Sequence, residues 1–396
     1  MIIMWKKRRH NFITNLARPF LNAFCKIKYN ATHDKPISCK DGALIISNHT
    51  TSMDQFYMGM LFKEQLYYMI SADVLMHRFL GKFLKWLINP ITKEKGKSGD
   101  VQAIKNCMRV AKENGNICIF IEGNRTLSGK LCNVDYSIVK LAKALGKPLI
   151  ICNIEGGYGT DPRWGRKIRR GRLHSSIKKI YSYDEIKNMD NDELYKIIID
   201  GITVDDYNYY HKYKGKKRAE YLERILYICP ICGHMHTIYS KGNFVICKNC
   251  GLKVEYQESL RLKANNEIFK FETISDWYDY QLEVVGNKEY NDDAIYSDPV
   301  YVYTPRLYKS KKYIGEGVMT LYKDRLVFEM KKNKLELCFD EIDGMTLVGK
   351  KKMNIYVGNT TYQVFKDKKI NTLKYMHLFY ILKARRAGKE CDFIGI

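Results

Sequence analysis

The tightest constraint on this chain lies past its midpoint. Cys229-Pro230-Ile231-Cys232 is followed, after fourteen intervening residues that begin with Gly233, by Cys247-Lys248-Asn249-Cys250-Gly251. Four thiolates at this spacing suit one tetrahedral Zn²⁺, and a glycine after each pair permits the sharp knuckle turn. The β-prone runs Thr237-Ile238-Tyr239 and Phe244-Val245-Ile246 lie between the pairs. A closed four-sulfur site leaves no position for water, so the metal is expected to be structural. In a unit this small, metal binding supplies most of the folding free energy. His234 and His236 are expected to be bystanders.

This segment, residues 226–258, resembles a zinc ribbon. It also divides the chain. Before it, apolar runs of strand length alternate with helical periodicity, which predicts a layered, mostly parallel α/β domain. After it come short alternating strands and one terminal helix.

In the first part, Leu44-Ile45-Ile46 reads as a buried strand that ends in Ser47-Asn48-His49-Thr50-Thr51-Ser52-Met53-Asp54. His49 then stands at a carboxyl strand end, where open α/β sheets hold ligands. Asp54 lies about one helical turn on. A neutral imidazole can take a hydroxyl proton near pH 7, and a carboxylate on its other nitrogen fixes the tautomer. A second run, Ile117-Cys118-Ile119-Phe120-Ile121, ends in Glu122-Gly123-Asn124-Arg125-Thr126. Gly123 permits a tight turn, and Arg125 offers a planar fork for phosphate. Taken singly, a loop histidine beside a chance aspartate and a solvated turn explain these residues as well. Taken together, they predict one site built from two strand ends.

These residues resemble the glycerolipid acyltransferases, the lysophosphatidate (1-acylglycerol-3-phosphate) acyltransferases and their relatives. That family carries Asn-His-x4-Asp followed by Phe-Pro-Glu-Gly-Thr-Arg. Here the first motif is Asn48-His49-x4-Asp54, and the second is Phe120-Ile121-Glu122-Gly123-Asn124-Arg125, with Ile for Pro and Asn for Thr. A later strand block matches Lys147-Pro148-Leu149-Ile150-Ile151-Cys152 without its second proline. The family's intervening arginine falls on Lys93 of Pro90-Ile91-Thr92-Lys93, which keeps the charge and loses the bidentate fork. The resemblance implies that His49 and Asp54 are catalytic. It also implies that Glu122, Gly123, Arg125 and Lys93 hold the acceptor's phosphate. The implied co-substrates are a lysophospholipid acceptor and an acyl donor, acyl-CoA or acyl-carrier protein.

The net charge of +24 implies an anionic partner, either an acidic membrane surface or nucleic acid. A zinc-ribbon nucleic-acid binder would explain the charge and the cysteines but not the two strand-end motifs, so nucleic acid is not the expected partner. A lipid-binding adaptor with an inactive acyltransferase domain is the other alternative. Residues 1–30 carry Phe12, Leu16, Phe20 and Phe24 at four-residue steps, flanked by Trp5, Lys6, Lys7, Arg8 and Arg9. This pattern fits an amphipathic helix in a membrane interface, with Pro19 expected to kink or split it. Packing on the protein's own core fits it equally. No apolar stretch is long enough to span a bilayer. The scattered cysteines, such as Cys118 and Cys152, read as small buried hydrophobes of a reducing compartment. A cytoplasmic protein, peripheral on the cytoplasmic face of a membrane, is expected.

The expected boundaries are 31–224 for the acyltransferase domain, with helices over 73–88, 100–114, 134–145, 184–200 and 205–224. Residues 259–294 are expected to be a linker helix. Residues 295–390 resemble a PH/GRAM-like β-barrel capped by a helix over 370–386, a pattern that suits a lipid or protein ligand. There Lys309, Lys311 and Lys312, and Lys350, Lys351 and Lys352, would suit phosphates; solubility explains them nearly as well.

Overall fold

The structure is a computed structural model describing residues 11–76, 79–93, 99–208, 211–331, 333–389 and 391. The chain divides into two compact units. The first is residues 1–163 with 168–214 and 394–396; the second is 164–167 with 215–393. Trp5 and the basic run at residues 6–9 lie outside the described residues.

The first unit contains seven strands and eight helices among the described residues. In chain order these are α1 (Asn11–Tyr29), β1 (Ala31–His33), β2 (Leu44–Ser47), α2 (Asp54–Met60), β3 (Leu66–Ser71), α3 (Leu80–Ile88), β4 (Ile91–Lys93) and α4 (Gly99–Lys112). There follow β5 (Asn116–Phe120), α5 (Ser137–Leu145), β6 (Leu149–Glu155), α6 (Gly157–Thr160), β7 (Leu173–Tyr181), α7 (Tyr183–Asn188) and α8 (Asn191–Ile202). The strands form one sheet in the order β1-β7-β6-β2-β5-β3-β4. Every neighbouring pair is parallel except β6–β7. β2 sits at the centre, with later strands β5 and β6 on its two sides, which is where such sheets bind ligands.

The apolar runs of β2, β5 and β6 are continuous because both sheet faces are covered. Leu44, Ile46, Ile117, Ile119, Leu149 and Ile151 pack on one side with Val110, Val139 and Ile198. Ile45, Cys118, Ile150 and Cys152 pack on the other with Tyr29, Tyr57 and Phe62. Cys118 and Cys152 are thus small core residues, as read.

Several expected helices differ in detail. Residues 73–88 are a 3-10 turn, Ala72–Met76, and then α3. α3 folds back so closely that a Cβ on Gly81 would lie 2.2 Å from the Leu75 carbonyl oxygen. On α4 the inward row is Ala103, Cys107, Val110 and Ala111, while Val101 and Ile104 face solvent. Small residues let that helix lie close to the sheet. Residues 184–200 are two helices, each with its own N-cap, Ser182 and Asp190. The described residues of 205–224 do not form an α-helix. Tyr213 packs on Gly159 and Gly171, and Lys214 pairs with Arg170 in a single bridge, while the rest of the described segment is bends and turns. Lys217 and Tyr221 have positive φ, and only Leu222–Arg224 forms a 3-10 turn. α1 runs unbroken through Pro19. Both Pro19 and Asn15, whose carbonyl loses its donor, face solvent.

The second unit begins with the knuckles. β8 (Ile238–Lys241), β9 (Phe244–Cys247), β10 (Lys253–Tyr256) and β11 (Leu262–Ala264) form an antiparallel sheet. α9 (Ile274–Asn287) follows. It is core and not linker: Ile274, Trp277 and Gln281 are fully buried. The Trp277 indole donates to the Ile228 carbonyl at 2.9 Å, and the Gln281 side chain accepts from the Tyr227 N–H at 3.0 Å. Then come β12 (Tyr296–Arg306), β13 (Lys309–Leu321), β14 (Arg325–Met330), β15 (Lys334–Cys338), β16 (Gly344–Val348), β17 (Lys352–Val357) and β18 (Thr360–Phe365). They form an antiparallel sheet in the order β15-β14-β13-β12-β18-β17-β16, followed by α10 (Leu373–Arg386). This is a small barrel-like arrangement with a terminal helix, as the alternation predicts.

Candidate active site

β2 delivers Asn48 and His49 to its carboxyl end. Asn48 is buried and locks that end to β6: its Oδ1 accepts the Ile154 N–H at 2.8 Å, and its amide donates to the Ile154 carbonyl at 3.0 Å. His49 follows, with its Nδ1 2.7 Å from Asp54 Oδ2. Asp54 opens α2 and is fully buried. Its carboxylate also accepts the Thr50 N–H at 2.6 Å, the Thr51 N–H at 3.0 Å and the Thr51 hydroxyl at 2.6 Å. A carboxylate so fully engaged as an acceptor puts the imidazole proton on Nδ1 and leaves the Nε2 lone pair free.

The ring stacks on Phe120, with centroids 4.5 Å apart, and its side chain is 23% exposed. Burial holds the His49 pKa below its ordinary 6.5, although Asp54 pulls it up; the charges of Arg125 and Arg163 lower it further. The imidazole is therefore neutral at pH 7 and competent as a base.

β5 lies beside β2, and its carboxyl end turns at Gly123, whose φ is +67°. Glu122 points inward. It accepts the His49 N–H at 2.5 Å and the Cys132 N–H at 3.0 Å. Burial pushes its carboxyl up to about 7. It therefore ties the two strand ends together, while the Thr126 N–H donates back to the His49 carbonyl at 3.0 Å. Arg125 is half-buried, and its Nη1 is buried with no hydrogen-bond partner. Desolvation lowers the guanidinium pKa, and the negative charges of Asp161 and Asp54 oppose that. An orphaned guanidinium N–H costs about 1–3 kcal/mol, which an anion would recover.

Arg163 is a further cation at this site, and the motifs do not point to it. It is buried, and its Nη1 donates to Asn124 Oδ1 at 2.6 Å and to the Arg125 carbonyl at 3.3 Å. It braces the loop that carries Arg125. Its basic neighbours give no signal for this in the sequence, because only burial separates Arg163 and Arg169 from the exposed Arg166, Lys167, Arg170 and Arg172. Gly157 was also missed: a Cβ there would lie 2.0 Å from Thr50 Oγ1, so α6 approaches the histidine loop as only glycine allows. Asp206 fixes that approach. It accepts the Gly156 N–H at 2.7 Å and the Gly159 N–H at 3.1 Å, and burial pushes it up to about 6.

Lys93 comes from a different strand end. It ends β4, the edge strand, three places from β2, or about 14 Å at ~4.8 Å per strand. Its charge reaches Asp135, which is held below the usual carboxylate range chiefly by the Ser137 N–H and hydroxyl and then by Lys93.

In the second unit the sulfurs of Cys229, Cys232, Cys247 and Cys250 all lie within 4.8 Å of one another. Cys229 Sγ is 3.6 Å from Cys250 Sγ, and Cys232 Sγ is 3.8 Å from Cys247 Sγ. A tetrahedron with metal–sulfur bonds of about 2.3 Å has sulfur edges of about 3.8 Å, so the four thiols fit one metal ion. His234 and His236 are not members of the cluster.

Residues 26–155 match the family model described as Acyltransferase. No curated protein sequence matches the chain. Among solved structures, the chain is similar to the 1-acyl-sn-glycerophosphate (LPA) acyltransferase PlsC from Thermotoga maritima. The identity is 15% and the TM-score 0.39, over 50% of this chain and 80% of that one. It is also similar to the C-terminal domain of an unknown protein from Leishmania infantum, with 10% identity and a TM-score of 0.18, over 23% of this chain and 85% of that one. The matched span contains His49, Asp54, Lys93, Glu122, Gly123 and Arg125, while Arg163 and the cysteine cluster lie beyond it. The domain at residues 26–155, with its two motifs on neighbouring strand ends, belongs to the acyltransferase family.

Proposed function

We propose that this protein transfers an acyl chain from a thioester donor, acyl-CoA or acyl-carrier protein, to the free hydroxyl of a lysophospholipid. The acceptor we favour is 1-acylglycerol-3-phosphate, giving phosphatidate. One observation carries the reading. A histidine oriented by a buried carboxylate at 2.7 Å stands beside an arginine whose buried Nη1 has no partner.

In this scheme Nε2 of His49 removes the hydroxyl proton as the oxygen attacks the thioester carbonyl. The tetrahedral intermediate collapses with cleavage of the carbon–sulfur bond. The thiolate leaves and takes the proton back from the imidazolium, whose charge Asp54 stabilises meanwhile. The hydroxyl is the nucleophile, so no acyl-enzyme forms. Arg125 grips the acceptor's phosphate, with Arg163 fixing its loop. Glu122 and Gly123 shape the turn.

The acceptor is a lipid, and α1 offers a route to it. Phe12, Leu16, Phe20, Phe24 and Ile27 are all exposed along α1, while Cys25 and Tyr29 pack inward. Such a face suits an anionic membrane surface on which the protein sits peripherally. No described helix is long and apolar enough to cross a membrane. The metal is proposed to be Zn²⁺ in a structural role, since four sulfur donors leave no open position.

The test is mass spectrometry of lipids after incubating the purified chain with mixed lysolipids and an acyl donor. New diacyl lipid from a phosphate-bearing lysolipid supports the reading. Absence of any acylated product with either donor overturns it.

A further inference from the structure

The outer face of the large antiparallel sheet carries a feature that acyl transfer does not use. Along β12, Val300 and Val302 are buried, whereas Tyr301 and Tyr303 alternate to the other face. Phe365 of β18 joins them, paired with Tyr301 across the strands. Tyr303 and Phe365 stack at 5.3 Å with an interplanar angle of 10°.

Three ammonium groups converge on this platform. Lys311 Nζ lies 3.6 Å from the Tyr303 centroid and 4.1 Å from that of Phe365. Lys351 and Lys352 lie 5.6 and 5.8 Å from the same Phe365 ring. The lysines come from two hairpins, β12–β13 and β16–β17. Irregular register between Val302 and Tyr303, and between Thr304 and Arg306, marks the first hairpin where it faces the second.

The cations crowd one another. Burial and then the charges of Lys352 and Lys351 bring Lys311 down to about 8. Among the described residues no carboxylate pairs with any of the three. Glu316, the acid on the same strand, is taken by Lys366. Lys350, their sequence neighbour, donates instead to the Gly165 carbonyl at 2.7 Å. A surface that only needs solubility would spread such charges or interleave acids. Here the rings support the ammonium groups by cation–π contact, and their mutual repulsion is left for an anion to relieve.

We propose that Lys311, Lys351 and Lys352 form a binding site for a phosphomonoester, a dianionic phosphate borne by a lipid headgroup or by a soluble molecule. Three converging donors match the three terminal oxygens of such a group better than the two of a phosphodiester. A stacking site for nucleic-acid bases is the poorer fit, because Lys311 already covers the Tyr303 and Phe365 rings. The site lies in the second unit and stands whether or not the first unit transfers acyl chains.

The experiment uses the full chain and vesicles of matched surface charge. One set is phosphatidylcholine with phosphatidic acid, the other phosphatidylcholine with phosphatidylglycerol. The site predicts preference for the phosphomonoester vesicles, lost by roughly tenfold or more in the triple variant Lys311→Gln, Lys351→Gln, Lys352→Gln. That variant keeps wild-type metal content and melting temperature, which separates lost binding from lost folding. Inorganic phosphate and glycerol 3-phosphate, added as competitors, identify the source. Displacement by either points to a soluble phosphate, and failure of both with the vesicle preference intact points to a lipid headgroup. Equal binding to both vesicles, an unchanged preference in the triple variant, or stronger retention on a single-stranded oligonucleotide would each overturn the proposal.

Discussion

At the scale of single residues, the proposed chemistry depends on the protonation state of one ring. As a general base His49 works only when neutral, so the proposal predicts that activity falls as pH drops through its pKa. Burial holds that pKa below 6.5, with Arg125 and Arg163 lowering it further. The acidic limb of kcat/KM against pH is therefore predicted to have its midpoint below 6.5, with a plateau across pH 7. Arg125→Ala removes one of the opposing charges, so its limb should move upward, toward 6.5. The same variant should raise KM for a phosphate-bearing acceptor by roughly 10–100-fold, the loss of one charge-assisted contact. A limb that stays in place and an unchanged KM would together dissociate Arg125 from the site. Gly157→Ala tests the close approach of α6. Its methyl would meet Thr50 Oγ1 at 2.0 Å, and overpacking of this kind costs about 1–3 kcal/mol. Thermal melting should show the loss, and an unshifted Tm would mean that the loop yields freely.

At the scale of elements, what was legible followed from periodicity and from motif order. The strands beneath His49 and Arg125 stood out because parallel strands buried on both faces read as unbroken apolar runs. Their adjacency did not, since β2 and β5 are separated in sequence by two other strands. It required the motif resemblance. Helix limits were less legible. The polarity of residues 205–224 suggested a surface helix, but Tyr213 is seated on two glycines and the described chain around it runs in bends and turns. α9 looked like a linker because its sequence mixes aromatic and charged residues, yet Trp277 and Gln281 make it core. Both errors come from long-range packing, which local periodicity does not carry. Arg163 was hidden for the same reason. α1 yields its own prediction. Phe20→Asp with Ile27→Asp should reduce recovery on anionic vesicles by roughly tenfold or more, since each exposed side chain offers about 1.5–3 kcal/mol on burial. Turnover of a short-chain, water-soluble acceptor should be unaffected. Undiminished vesicle recovery would take α1 out of the membrane contact.

At the scale of the whole molecule, two units carry separate chemistry on one basic chain. In the proposed reading the thiol cluster of the second unit holds a structural metal, and in so small a ribbon such a metal contributes folding free energy directly. Cys232→Ser or a strong chelator should abolish bound zinc, measured by elemental analysis, and lower the melting transition of the second unit. Full retention of that transition without metal would contradict a structural role. The +24 charge was legible as a sign that anions matter, but not as to where they sit. The structure resolves it into distinct local sets: a guanidinium beside a histidine, and a trio of lysines on an aromatic face. Whether the first set performs acyl transfer is decided most directly by a single assay. Purified wild-type chain and His49→Ala are each supplied with lysophosphatidate and a thioester donor, and the phosphatidate formed is quantified by mass spectrometry. The account predicts product from the wild type and a loss of about 10²–10⁴-fold in the variant, with its fold and metal content intact. Equal turnover by the two proteins would contradict it.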